Sequence, residues 1–282
     1  MSGPLLGLAT AVALGWTALA LLGLARSRAA RFLGPEDRPA TGDVPEMAVI
    51  VPAHNEEAHI AGTIDSLLGQ DYPRLTITIV DDQSSDRTAE LIAGSLDGHA
   101  NARLVRGIER PPGWVGKTWA LHQGAADVRA EWLCFIDADM RLHPAAIRTA
   151  WREAETAGAD MVSLLGRPVC TTFWQGSVAV ALLYVLSNVY PLRRVNDPRR
   201  PDALAHGAFM LVRRSWYERV GGIACVRGEI VEDIEFARRL KSAGGRLRVR
   251  AAPELSRTHM YGTLRDIVRG LRKNAFAGME YR

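Results

Sequence analysis

Three short apolar runs, at residues 47–51 (MAVIV), 75–80 (LTITIV) and 132–136 (WLCFI), each lead into a helical pattern and each end on a polar cluster. After the first, Ile60, Ile64, Leu67 and Leu68 recur at helical spacing within 56–69; further helices are expected at 88–95, from about 144, and at 230–240. Strands separated by helices cannot pair as simple hairpins, so the alternation predicts an α/β domain with a mostly parallel sheet covered by helices. Ligands of such sheets bind beyond the carboxyl ends of the strands. Those ends carry His54, Asn55 and Glu56 after the first run, Asp81 and Asp82 after the second, and Asp137 and Asp139 after the third. Carboxylates gathered on one rim repel each other unless a cation or the donors of a ligand lie between them.

Residues 5–24 carry no charge, and as one helix they match the thickness of a bilayer core. Arg26, Arg28 and Arg31 follow at once, which by the positive-inside tendency places the remaining chain in the cytoplasm. A cleaved signal peptide would carry its basic end before the apolar run, not after it. The expected organisation is therefore an anchor with its basic flank at 1–33, a Pro- and Gly-containing linker at 34–46, and one catalytic domain at 47–282, in a single-pass protein of the cell membrane.

Composition narrows the class further. With 48% hydrophobic and 23% charged residues the chain has the balance of a folded domain, and about 240 residues beyond the anchor suffice for a substantial core. The formal charge of +4 suits an anionic membrane or a phosphate-bearing substrate, and no basic stripe with interleaved aromatics points to nucleic acid. Cys134, Cys170 and Cys225 have neither metal-ligand spacing nor an even count, which argues against a zinc site or a disulfide framework.

Four local patterns carry chemistry, each beside a plainer explanation. Asp137-Ala138-Asp139 after a strand can hold a hard divalent cation whose other positions take diphosphate oxygens; turns also favour Asp for conformational reasons. In the 81–86 stretch, Ser85 or Asp86 reads as a helix cap, whereas Asp82 is free to accept from a nucleoside base or ribose. Gly113, Gly116 and Lys117 precede a helix expected near Thr118, so backbone N–H groups and an ammonium can meet phosphate there, or Lys117 is simply exposed. Pro111 rules out a P-loop. Glu232 and Asp233 open a helix, where the dipole favours carboxylates whether or not Asp233 serves as a general base. The apolar stretch 173–190, followed by Arg193, Arg194, Arg199 and Arg200, reads equally as an interfacial helix or as core.

In their order along the chain, 51–57 (VPAHNEE), 80–88 (VDDQSSDRT), Asp137-Ala138-Asp139, 207–222 (GAFMLVRRSWYERVGG) and Val231-Glu232-Asp233 resemble glycosyltransferase family 2, whose catalytic domain has the GT-A fold. The stretch 111–124 (PPGWVGKTWALHQG) is similar to a membrane-associated branch with hopene-associated and carotenoid glycosyltransferases, and more distantly to ceramide glucosyltransferase. The resemblance implies inverting transfer of a sugar from a nucleotide-diphosphate donor, expected to be UDP-linked, to a lipid acceptor such as a hopanoid, carotenoid or other polyisoprenoid-derived lipid. It places Mg²⁺ or Mn²⁺ at Asp137 and Asp139, and the nucleotide sugar at Pro52, Ala53, Glu56, Asp82, Lys117 and Asp137. It also implies catalysis by Asp233 with Glu232, and an acceptor near His206 and Gly207. Residues 269–274 (RGLRKN) lie about where many membrane relatives carry Q/R-x-x-R-W but lack the Trp, and transfer of a single sugar is expected. Three other functions compete: a polyprenyl-phosphate glycosyltransferase, a nucleotidyltransferase, which the first strand-helix turn disfavours, and a catalytically degenerate membrane scaffold.

Overall fold

The computed structural model describes residues 32–35 and 43–259, with the isolated positions 7, 10, 14, 15 and 17. The expected anchor at 5–24, the centre of the expected linker and residues 269–274 thus fall largely or wholly outside the described residues. Among the described residues no helix is long and apolar enough to cross a membrane. The chain divides into two compact units, Met1–Phe32 and Leu33–Arg282, and the elements below belong to the second.

In chain order these are β1 (Met47–Ala53), α1 (Ile60–Leu68), β2 (Leu75–Asp81), α2 (Thr88–Leu96), β3 (Ala102–Arg106), α3 (Gly116–Ala125), β4 (Trp132–Ile136), β5 (Met140–Leu142) and α4 (Ala146–Ala157). They continue with β6 (Met161–Leu165), β7 (Arg167–Val169), α5 (Phe173–Val189), α6 (Leu192–Val195), β8 (Phe209–Arg213), α7 (Arg214–Arg219), α8 (Glu232–Ser242), β9 (Leu247–Ala251) and β10 (Ser256–His259). The main sheet runs β3-β2-β1-β4-β8-β6-β9, and β8 alone is antiparallel to both neighbours. The mostly parallel α/β sheet expected from the alternation is present.

Each face of β1 enters a different core. Met47, Val49 and Val51 pack with Ile60, Ile64, Ile77 and Ile147 on one side, while Ala48 and Ile50 pack with Leu121, Phe135 and Phe236 on the other. This is the period-two alternation of a strand covered on both faces, and it explains why the run is apolar throughout. The strand runs past Pro52, two residues beyond the apolar run 47–51. Pairing with β4 ends at Ile50, whereas pairing with β2 continues through Pro52 to Ala53, so the proline falls where only one neighbour remains.

The chain passes from β1 to β2 and β3 on one side and then returns to place β4 on the other. That reversal opens a crevice at the carboxyl ends of β1 and β4. A second sheet, β5-β10-β7, begins directly after Asp139 and continues toward α5. The core reading of residues 173–190 is overturned: only Gln175 and Ala179 of α5 are buried, and Phe173 is 77% exposed.

Candidate active site

The loops after β1 and β2 brace each other. Asn55 N–H donates to Ser84 Oγ at 3.0 Å, and Ser85 N–H donates to Asn55 Oδ1 at 2.8 Å. Glu56 N–H reaches Thr88 Oγ1 at 2.7 Å, and the His54 ring meets the Asp82 carbonyl at 2.7 Å. Asn55 and Gln83 hold φ of 55° and 57°, the left-handed region. Asn tolerates that region better than most residues. Asp86 takes the capping role, accepting from Thr88 N–H at 2.9 Å, and Ser85 does not. Asp81 is buried and structural, paired with Arg106 at 3.1 Å.

Asp82 is left for another use. Its N–H is fixed on the Ala53 carbonyl at 2.8 Å, and a Cβ placed on Gly116 would lie 2.9 Å from its Oδ2. Burial raises its pKa, partly offset by His54 and Arg110. Gly116 thereby brings the start of α3 against the β2 loop, and Lys117 follows directly.

Lys117 is not a solitary exposed lysine. Its Nζ lies 2.8 Å from both Asp137 Oδ1 and Glu232 Oε1, with the side chain 31% exposed. Burial disfavours its charge, but Asp137, Glu232 and Asp233 outweigh that and hold its pKa above the ordinary value. The carboxyl end of β4, the start of α3 and the start of α8 therefore meet at one ammonium.

Asp139 lies in the same field, and among the described residues it forms no ion pair. Burial, and then the carboxylates of Asp137 and Glu56, push its pKa up to about 7. The loop is fixed from behind, where Thr63 Oγ1 donates to the Ala138 carbonyl and His259 N–H donates to the Asp139 carbonyl at 3.2 Å. Among the described residues no group of three or more His, Cys, Asp or Glu is arranged to hold a metal. Two carboxylates on one tight turn nevertheless fit a hard cation of the Mg²⁺ type, which takes one or two protein oxygens and fills its other positions with phosphate and water.

Asp233 is held by two backbone donors, Gly207 N–H to Oδ2 at 2.7 Å and Ile234 N–H to Oδ1 at 2.8 Å. Burial raises the pKa of Asp233 and of Glu232, and Lys117 counters it at both. Gly207 leaves little room for a side chain, because a Cβ there would lie 3.0 Å from Lys117 Nζ and 3.1 Å from Asp233 Oδ2. His206 takes a supporting place: its N–H donates to Ser163 Oγ at 2.8 Å, and its ring Nδ1 lies 3.3 Å from the Leu164 carbonyl. Burial lowers its pKa and favours the neutral ring.

Glu56, Lys117, Asp137, Asp139, Glu232, Asp233 and Gly207 thus share one electrostatic cluster, and Asp82 joins it through Gly116. Several supports escape sequence reasoning. Thr118 Oγ1 and Val115 N–H both donate to the Arg227 carbonyl, at 2.7 and 2.8 Å, and so tie the loop before α3 to the segment leading into Glu232. Thr63, Ser163 and Arg227 stand far in sequence from what they support, and nothing local marks them.

Residues 48–221 match the family model described as Glycosyl transferase family 2. The succinoglycan biosynthesis protein ExoO of Rhizobium meliloti is 32% identical over 136 residues, covering 46% of this chain and 37% of that protein. The 4,4'-diaponeurosporenoate glycosyltransferase of Staphylococcus aureus is 26% identical over 189 residues, covering 66% of this chain and 48% of that protein. The chain thus spans less than half the length of either relative. Among solved structures, the mannosyltransferase PcManGT from Pyrobaculum calidifontis, in complex with GDP-Man and Mn²⁺, superposes with a TM-score of 0.65 at 22% identity, over 96% of this chain and 72% of that one. Staphylococcus aureus TarS 1-349 with UDP-GlcNAc gives 0.57 at 18% identity, over 79% and 60%. These structural likenesses concern the fold, and the family model covers more than half of the chain: it belongs to glycosyl transferase family 2.

Proposed function

We propose that the chain transfers a sugar, with inversion, from a nucleotide-diphosphate donor, UDP-linked in our reading, to a membrane lipid bearing a hydroxyl or carboxyl group. The observation that carries this reading is the Lys117 ammonium, 2.8 Å from both Asp137 and Glu232, beside an Asp233 carboxylate held by two backbone N–H groups. A cationic group beside a pair of strand-end carboxylates suits a diphosphate, and a fixed carboxylate suits removal of a proton from an attacking hydroxyl. The nucleoside lies on the braced loops at Pro52, Ala53, Glu56 and Asp82. Asp137 and Asp139 hold Mg²⁺ or Mn²⁺, which when bound offsets the charge that develops on the leaving diphosphate. The PcManGT complex, which contains Mn²⁺ and GDP-Man, supports a metal and a nucleotide sugar.

In this reading Asp233 accepts the acceptor's proton through whichever carboxylate oxygen faces the substrate, while Gly207 N–H keeps its plane fixed. Glu232 keeps Lys117 in place, and His206 orients Gly207 on the acceptor side. The lipid acceptor is supported by the likeness to the diaponeurosporenoate glycosyltransferase. With residues 5–24 as a membrane anchor, the catalytic unit faces the cytoplasm in this reading. Asp233→Asn tests the assignment: nucleotide binding by calorimetry persists, while transfer falls by about 10²- to 10⁴-fold. Unchanged turnover would remove Asp233 from the reaction. The large loss applies to a hydroxyl acceptor; one that is already anionic, such as a carboxylate or a polyprenyl phosphate, would make the loss small.

A further inference from the structure

We infer that α5 is a membrane-docking element that lies in the surface of a bilayer with anionic headgroups. Its 17 residues contain no charged side chain, and it is apolar around its whole circumference, with only Gln175 and Ala179 buried. A helix that is apolar all round needs an apolar surrounding. Here the described residues of the domain supply almost none: Val180 is 68% exposed, and Trp174, Leu183, Val185 and Val189 are about half exposed.

Charge identifies the occupant. Immediately after the helix, Arg193, Arg194, Arg199 and Arg200 are all exposed. Asp202 pairs with Arg194 at 3.0 Å and Asp197 with Arg199 at 3.2 Å, so two acidic groups oppose four arginines. A second copy packed in parallel on this face would place arginines beside arginines. A leaflet with phosphate headgroups above an acyl layer matches both the apolar cylinder and its basic end. The helix start suits that boundary as well, because Thr172 and Gln175 form a capping box that satisfies backbone donors water would otherwise meet.

Both ends of α5 lead into the site. Before it, β7 pairs with β10, whose His259 N–H holds the Asp139 carbonyl at 3.2 Å. After it, the chain returns through His206 to Gly207, which holds Asp233. The helix therefore spans the two segments between which an acceptor would enter. The docking itself stands on this geometry; only its service to a lipid acceptor rests on the transferase reading.

The test uses the full chain carrying Cys170→Ser, with a nitroxide attached at Val180→Cys and, separately, at Ala93→Cys on α2. In phosphatidylcholine vesicles with about one third phosphatidylglycerol, the label at 180 becomes more accessible to oxygen than to a water-soluble nickel chelate, and the label at 93 does not. A label at 180 that stays as nickel-accessible with vesicles as without overturns the proposal, even if the chain is tethered elsewhere. So does shielding at 180 without lipid that tracks formation of a dimer. Arg193→Gln with Arg200→Gln should weaken insertion several-fold, and unchanged insertion would overturn the anionic preference. Calorimetric binding of UDP with Mn²⁺ to the same protein is the separate control. Its absence would sink the UDP-linked donor reading and leave the bilayer contact standing.

Discussion

The backbone N–H of Gly207 donates to Asp233 Oδ2 across 2.7 Å, joining the segment before β8 to the first turn of α8. A carboxylate on a helix start has rotamer freedom of its own, and this bond removes much of it.

Gly207→Ala tests that restraint. The added methyl would sit 3.0 Å from Lys117 Nζ and 3.1 Å from Asp233 Oδ2, so the carboxylate must shift. Misplacement by about 1 Å can cost about 10²-fold, and the shift required here is a few tenths of that, so kcat should fall by about three- to tenfold with nucleotide affinity changed far less. Steady-state kinetics alongside calorimetry check it, and an unaltered kcat would show that the restraint does not matter.

Lys117→Met removes the cation shared by Asp137 and Glu232. The variant should bind UDP at least about tenfold more weakly, since a charge-assisted contact is lost and two carboxylates are left facing the diphosphate. Titration at two salt concentrations checks it, with the wild-type protein showing the steeper salt dependence.

Asp139→Asn should make the ligand-free protein more stable and metal binding weaker. Its carboxyl has a folded pKa of about 7 against an ordinary 3.8, so folding favours the protonated form. Its destabilising effect therefore grows as pH rises from about 4 to about 7 and is constant above. Thermal melts at pH 5 and pH 7.5 should show the variant gaining about 2–3 kcal/mol more at the higher pH. A gap that does not widen with pH would contradict the shift.

Gly124→Ala probes the packing of α3 on the sheet. A Cβ there would come within 2.5 Å of Ile50 Cγ2 and 2.9 Å of Val80 Cγ2, on strands buried from both sides. The expected loss is about 1–3 kcal/mol in denaturant unfolding. Since α3 carries Lys117, nucleotide affinity should fall with it.

Much of the frame was legible because β1, β2 and β4 are covered on both faces and read as unbroken apolar runs. β7 (RPV) and β10 (SRTH) lack that signature. They exist as strands because each finds a partner brought from elsewhere in the chain, which no local pattern records. The site divides in the same way. Asp82, Asp137 and Asp139 could be located because strand ends converge by topology, whereas the contacts of Lys117 with Asp137 and Glu232 depend on the placement of α3 and α8. Residues 173–190 were ambiguous for a physical reason: an uncharged apolar helix of 17 residues is equally at home in a core or a bilayer, and only its exposure decides.

The mutual bracing of Asn55 with Ser84 and Ser85 bears on how a nucleotide arrives. Two loops stitched together by folding leave little disorder for the incoming molecule to quench. In the proposed donor seat these two loops therefore need no ordering step of their own before capture.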